Sequence, residues 1–318
     1  MKKWIICALS ALFMLGCLSG CAPKEEGKYV VGICQLTKHD ALDAATQGFM
    51  DALIAELGEE NVRFDLQVAA GDSGTCAPIV NGFVSQGVDL IMANATPALQ
   101  SAAAATADIP ILGTSVTEYG VAMGIDNFSG TVGGNVSGTS DLAPLDQQAA
   151  MIKAWCPNAK TVGLLYCSAE PNSQYQVDTI AAHLKSLGYE CKSFPFADSN
   201  DMAAVTQAAV DASDVIYIPT DNTAASGAAI IDGICRSAKV PVFAGEESLC
   251  KGCGVATLSI SYYDLGTATG RMAANILKGE ADISAMPVEY APEFTALYNP
   301  EICNDLGLTP PDGYTPLR

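Results

Sequence analysis

The feature that most narrows the fold is an alternation of short apolar strands with amphipathic helices that runs once and then starts again. In the first pass, residues 29–36 form a β-branched apolar run. Residues 40–57 follow, with Leu42, Ala45, Phe49, Leu53 and Leu57 at helical spacing. A strand over 62–69, a helix over 77–86, a buried strand over 88–93, an Ala-rich helix over 97–106 and a strand over 109–113 complete it. In the second pass, helices over 145–155, 174–187, 202–212 and 223–237 alternate with strands over 161–167, 190–196, 215–219 and 240–244. A strand over 255–260, a helix over 263–279 stopped by Gly279, and an extended tail over 286–298 follow. Such alternation implies parallel sheets covered by helices on both faces.

The two passes echo each other. Asp89-Leu90-Ile91 corresponds to Asp214-Val215-Ile216, and seven residues beyond each Asp stand Thr96 and Asp221, each at a helix start. The next strand contains Pro in both, Ile109-Pro110-Ile111 and Val240-Pro241-Val242. The expected fold is therefore α/β, two Rossmann-like lobes with parallel sheets. Residues 29–125 with 249–285 form lobe 1, and residues 126–248 with 286–318 form lobe 2. The Gly/Ser-rich stretch 130–138 marks the boundary between the halves. A helix packing back on lobe 1 and a tail returning to lobe 2 make a hinge of three segments. Ligands of open α/β sheets bind beyond the carboxyl ends of the strands. Two facing lobes bring those ends together across a cleft that closes by a hinge.

The N-terminus carries a location. Lys2 and Lys3 precede an apolar run over 4–18 that is short for a membrane span. Leu18-Ser19-Gly20-Cys21 resembles the bacterial lipoprotein processing box. That resemblance implies a signal over 1–20, a lipid on the Cys21 thiol and a tether over 21–28, placing the chain on the extracytoplasmic face of the cell membrane. The net charge of −19 argues against nucleic acid as a partner. Of the 12 cysteines, Cys7, Cys17 and Cys21 belong to the signal or anchor. Cys34, Cys167, Cys191 and Cys235 fall in strands or on apolar helix faces, as small hydrophobes. Cys250 and Cys253 form a C-x-x-C pair that fits a redox couple, half a zinc site, a local disulfide or two inert thiols. With no second pair or His partner nearby, no metal is expected.

A set of ordered segments is similar to the tryptophan/tyrosine family of ABC transporter substrate-binding proteins. They begin with Gly32-Ile33-Cys34-Gln35, His39, Ala41-Leu42-Asp43 and Gln47-Gly48-Phe49. Ala95-Thr96-Pro97-Ala98, Thr114-Ser115-Val116-Thr117 and Gly138-Thr139-Ser140-Asp141 come next. Pro219-Thr220-Asp221-Asn222, Phe243-Ala244-Gly245-Glu246-Glu247, Tyr262-Tyr263-Asp264-Leu265-Gly266 and Thr269-Gly270 close the series. The resemblance implies a type I periplasmic-binding-protein fold, a Venus flytrap. It also implies a monomer without cofactor that captures an amino acid, most often aromatic (Trp, Tyr or Phe), for separate permease and ATPase subunits. Glu118-Tyr119 replaces the family's usual Asp-Pro, and an insertion-like stretch begins at Asp126-Asn127-Phe128. These departures bear on the ligand, so an aliphatic amino acid or a sugar stays open, as do a sensor role and a thiol-redox enzyme.

An amino acid needs acceptors for its ammonium and donors for its carboxylate. Asp221, beside Asn222, is the expected ammonium acceptor, and its alternative is a helix N-cap. Thr96 before Pro97 reads as an N-cap with Pro at N1, whose free amides can hold a carboxylate. Thr114, Ser115 and Thr117 follow a strand end, as do Gln35 and His39. Glu170, Asn172 and Ser173 follow another, where Ser173 and Gln176 also fit a capping box. Asp141 joins this set through the family resemblance. Tyr119, Tyr175 and Tyr262 can stack on an aromatic ligand or simply pack. His183 reads as structural. No catalytic constellation stands out, and Gly71-Asp72-Ser73-Gly74 reads as a turn.

Overall fold

The computed structural model describes residues 28–317, so the expected signal and the expected lipid site at Cys21 lie outside the described residues. The first sheet carries β1 (Tyr29–Gln35), β2 (Val62–Val68), β3 (Leu90–Asn94), β4 (Ile111–Val116) and β5 (Val136–Ser140). These are parallel in the order β2-β1-β3-β4-β5. Their connections hold α1 (Asp40–Leu57), α2 (Ser73–Gln86), α3 (Thr96–Ala105) and the short α4 (Tyr119–Met123). Alternate residues of β1 feed two cores, as a doubly covered strand requires. Val31 and Ile33 pack with Phe49 and Leu53, whereas Val30 and Cys34 pack with Phe83 and Leu99.

After α5 (Leu145–Trp155) the plan repeats with β6 (Thr161–Cys167), α6 (Pro171–Ser186), β7 (Glu190–Phe196), α7 (Met202–Ala212) and β8 (Val215–Ile218). Then come α8 (Asn222–Ser226), α9 (Ala228–Ala238), β9 (Val242–Ala244), α10 (Glu247–Cys253) and β10 (Ala256–Ser259). The second sheet runs β7-β6-β8-β9-β10, and the chain end completes it. After α11 (Tyr262–Leu277), β11 (Glu289–Tyr290) joins the first sheet beside β5. β12 (Thr295–Tyr298) pairs antiparallel with β10, and beyond α12 (Pro300–Leu306) the chain ends in β13 (Thr315–Pro316).

The echo between the passes has a structural basis. Asp89 Oδ2 accepts from the amide of Val30, and Asp214 Oδ2 accepts from the amides of Lys160 and Thr161. In each lobe one aspartate thus ties the start of the third strand to the start of the first.

The sheets divide the chain differently from the expected boundaries. Residues 136–140 are β5 of the first sheet, so the Gly/Ser-rich stretch lies within lobe 1. Residues 249–259 belong to the second lobe, because Leu249, Cys250 and Cys253 complete its core beside β9. The chain crosses between lobes near residues 141–144, 260–261 and 291–294, which makes three segments. Glycine spacing lets α11 lie directly on α1. A Cβ on Gly266 would stand 1.9 Å from the Ala45 carbonyl oxygen, and one on Gly48 would stand 2.1 Å from that of Tyr263.

Local departures have local causes. α2 begins at Ser73, with the Asp72 carboxylate capping the Gly74 amide at 2.8 Å, so Gly71-Asp72-Ser73-Gly74 is a capped helix start and not a free turn. The helix expected over 223–237 is broken at Gly227, where a Cβ would meet the Met202 sulfur at 2.4 Å.

Candidate functional site

The carboxyl ends of β1, β3 and β4 face those of β6, β8 and β9, and the lobes touch across that line. His39 Nε2 and Asn222 Oδ1 are 3.2 Å apart, and the Thr37 and Ser226 hydroxyls are 3.3 Å apart. At the rim, Lys251 and Asp40 form an exposed ion pair at 3.3 Å. A cavity of about 500 Å³ lies between the lobes, bordered by Leu36, Thr37 and Pro97 on one side and Glu170, Asn222 and Ile230 on the other. A second cavity, of about 10 Å³, is enclosed by His39, Leu42, Asp141, Asp221, Asn222, Glu246 and Tyr262. Neither is lined by a Lys or Arg.

Backbone strain gathers here. Ala95, the residue before α3, has φ 93° and ψ 157°, a region almost reserved for glycine. Ser115 has φ 53°, within an irregular stretch of the β4–β5 pairing. Thr96, the residue after Ala95, and Ser115 itself are buried polar residues near the ends of β3 and β4. Thr96 is therefore the first residue of α3 and Ala95 its cap, contrary to the N-cap expected of Thr96. The Thr96 hydroxyl is left buried with no partner among the described residues.

The same holds for Ser115 Oγ, Thr117 Oγ1, Asp141 Oδ1 and Asn172 Oδ1. Buried polar atoms without partners are costly and uncommon in a stable fold. Their gathering at facing strand ends marks a place that a polar solute can satisfy.

The remaining expected residues are anchored to one another. Gln35 Nε2 donates to the Thr37 carbonyl and to Asp43, while its Oε1 accepts from Thr46, so it shapes the first turn from within. The Thr114 hydroxyl meets that of Thr139 at 3.2 Å, inside lobe 1. Ser173 does not cap α6, because Glu170 precedes the helix and Gln176 instead holds the Thr220 backbone through both ends of its amide. Tyr119 is core, with its hydroxyl on the Thr139 carbonyl. Tyr175 is half-buried on α6, and His183 lies on the same helix. Tyr262 alone of the three tyrosines borders a cleft cavity.

Four carboxylates are buried here. Glu170 accepts from the Asn222 and Thr223 amides and from the side chains of Asn172, Asn222 and Thr223. Glu246 accepts from the Ser248 and Leu249 amides at the start of α10, a helix absent from the expectations. Asp221 takes the Ala224 amide on one oxygen and the Cys167 amide on the other, at 2.8 and 2.6 Å. Asp141 takes the Tyr262 hydroxyl at 2.9 Å on Oδ2. The Thr117 hydroxyl stands near enough to favour its charged form but falls short of hydrogen-bond geometry. Burial pushes the Asp141 carboxyl up to about 6, against the Tyr262 hydrogen bond. Burial, with Glu170 beside it, also raises Asp221.

Comparison with known proteins places this geometry. A family model described as "ABC transporter substrate binding protein" matches residues 30–314. The chain belongs to that family. It is 32% identical to the tyrosine-binding protein of Clostridioides difficile strain R20291, covering 96% of this chain and 93% of the relative. It superposes on an ABC domain from Streptococcus pneumoniae in complex with L-Trp with TM-score 0.86 and 33% identity, over 90% of this chain and 96% of that one. Against the ligand-free, open form of a substrate-binding protein with adhesive properties from Clostridium difficile, the TM-score is 0.69 at 36% identity, over 91% and 99% of the chains. The lower score at the higher identity accords with lobes that are closed here, as the contacts across the cleft also indicate. More distant solute-binding proteins, such as a glucose-galactose binding protein at 14% identity and TM-score 0.60, share the type I periplasmic-binding-protein fold. Among the described residues no helix is long and apolar enough to cross a membrane, and no cluster of His, Cys, Asp or Glu is arranged to hold a metal.

Proposed function

We propose that this substrate-binding protein captures a free amino acid with an aromatic side chain and presents it in the closed form to an ABC permease and its ATPase. The observation that carries the reading is the set of unpartnered buried atoms on Thr96, Ser115, Thr117, Asp141 and Asn172 at the facing strand ends. Hydroxyl donors and the free amides at the start of α3 suit a carboxylate. Buried carboxylates without a nearby Lys or Arg suit an ammonium. The 500 Å³ cavity in the same cleft, bordered by Pro97, Glu170 and Asn222, falls in the range of small-ligand sites and has room for an indole or phenol ring. Relatives that bind tyrosine or carry L-Trp support the ligand class.

We further propose that the mature chain begins at Cys21 and is held by acyl chains at the extracytoplasmic membrane face, on the strength of the Leu18-Ser19-Gly20-Cys21 motif. The ligand shifts the open–closed equilibrium by binding the closed form better, and nothing in this cycle needs catalysis.

The test is a thermal-shift survey of the chain from Ala22 onward against the twenty amino acids and a panel of sugars. A ligand that binds only the folded state raises the melting temperature by mass action. Stabilisation by Trp, Tyr or Phe is expected. A response to sugars alone would overturn the amino acid reading.

A further inference from the structure

The four buried carboxylates of the cleft do not offer the same thing to a ligand. Glu170, Glu246 and Asp221 spend their oxygens on the amides that open α8 and α10 and on the end of β6. Removing such a bond exposes a helix start and gives nothing to a solute. Asp141 is 3% exposed, holds one hydrogen bond, and keeps Oδ1 without a partner. It borders the cavity of about 10 Å³. That is about the room one water needs, and an ammonium group is of similar size. The only basic side chain on that cavity is His39, engaged through Nε2 with Asn222.

We propose that Asp141 Oδ1 is the anchor for the ligand's ammonium group, and that Asp221 is a structural cap whose role is to hold lobe 2 together. The proposal rests on the amino acid reading above and deepens it. The ammonium enters the small cavity and the ring occupies the larger one, and Asn222 lines both. A charge on Oδ1 also sits where the chain changes lobes, because Asp141 opens the first crossing and its partner Tyr262 follows the second. Ammonium binding thus bears directly on the hinge. The site then demands an amine: a ring that carries a carboxylate but no amine leaves a buried anion unpaired, and is rejected.

The test uses the chain from Ala22 onward, which contains the whole described fold. Whichever of L-Trp, L-Tyr and L-Phe binds most tightly is titrated calorimetrically against its deamino analogue: indole-3-propionate, 3-(4-hydroxyphenyl)propionate or 3-phenylpropionate. The deamino compound is expected to bind at least ~100-fold more weakly, the scale of a charged partner lost from a buried site. Asp141→Asn, which keeps an acceptor for Tyr262, should weaken the amino acid at least ~30-fold and the deamino analogue less than ~3-fold. Asp221→Asn should lower the melting temperature and change the amino acid affinity by less. An analogue that binds within ~3-fold of the amino acid, or an Asp141→Asn variant of unchanged affinity, overturns this assignment and leaves the amino acid reading standing. A wild-type chain that binds no amino acid overturns both. The analogue comparison needs no variant, so a variant that fails to fold leaves the proposal testable.

Discussion

The hydroxyl of Tyr262 donates to Asp141 Oδ2 at 2.9 Å, and the two residues flank different crossings of the chain between the lobes. One hydrogen bond thus joins two interlobe crossings 121 positions apart in sequence. Tyr262→Phe removes it and leaves Asp141 buried with neither oxygen engaged. Hydrogen bonds to charged groups are worth about 1.5–3 kcal/mol. The ligand affinity of the variant should fall about 10- to 100-fold, read by calorimetry, while the melting temperature of the unliganded chain changes little because an open chain wets the same carboxylate. An unchanged affinity would mean that the bond is equally present in both states.

The raised Asp141 carboxyl gives a pH dependence with a definite sign. Its value in the fold is about 6, against 3.8 for a free aspartate. The closed fold therefore holds this proton more tightly than the unfolded chain. The contribution is fully present below the unfolded value and is lost as pH rises through about 6, at most about 3 kcal/mol. Asp221 is raised by burial and by Glu170, and acts in the same direction. Glu246, Asp221, His39 and Tyr262 face Asp141 across the small cavity, and Tyr119 feels its charge from lobe 1. Ligand affinity runs oppositely, since an ammonium prefers the ionised carboxylate: it should weaken as pH falls through about 6. Calorimetry across that range on wild type and Asp141→Asn checks it, and the variant should be flatter.

Much of the fold was legible because the helical periodicity of 40–57 and the apolar runs of 29–36 and 161–167 follow from burial on one or both faces. Even the paired roles of Asp89 and Asp214 left a trace in the matching tripeptides. The lobe boundary was not legible. β5 is built from Val136-Ser137-Gly138-Thr139-Ser140, a composition that reads as linker until a neighbouring strand and the Tyr119 hydroxyl supply its partners. Strand ends gather the expected residues into one neighbourhood of the fold, but strand position carries no information about their roles. Asp221 reads in sequence as an ammonium acceptor with a cap as its alternative, and the Cys167 amide that occupies its second oxygen comes from another strand. Glu246 had no local signal beyond the acidic pair Glu246-Glu247. α10, which it caps, is only seven residues long.

The contact of α11 with α1 depends on hydrogen where other residues carry a methyl. A Cβ on Gly266 would lie 1.9 Å from the Ala45 carbonyl, so Gly266→Ala must push the helices apart. Overpacking of this kind costs typically about 1–3 kcal/mol. The melting temperature should drop by several degrees in a calorimetric scan. Gly279, where an added Cβ meets nothing within 4 Å but φ is 73°, separates packing from backbone strain: Gly279→Asn should be tolerated far better.

Ala95 holds a backbone that alanine rarely adopts, next to a hydroxyl proposed to meet the ligand. Strain of about 1–3 kcal/mol is typical of such positions. Ala95→Gly should relieve it, offset by about 0.5–1 kcal/mol of added freedom in the unfolded chain. The unliganded protein should therefore melt at the same temperature or slightly higher. Ligand affinity should fall, because a flexible residue before α3 holds Thr96 less firmly. Higher affinity in the variant would show that the strain opposes binding.

Cys250 and Cys253 offer the last prediction. They lie one turn apart on α10, both are free and buried, and their thiols donate to the carbonyls of Gly254 and Leu249. Burial pushes both thiols well above their ordinary value, which removes the thiolate that exchange or metal binding needs. They pack with Ile218, Ile231 and Leu249 as part of the core of lobe 2. Replacing both with alanine should leave ligand affinity within ~2-fold and lower stability by a cavity cost of about 1–3 kcal/mol. A thiol reagent should modify neither residue until the chain unfolds, read by mass spectrometry after native and denaturing labelling. Rapid native labelling of this pair, or loss of binding in the double variant, would return the C-x-x-C motif to the list of functional elements.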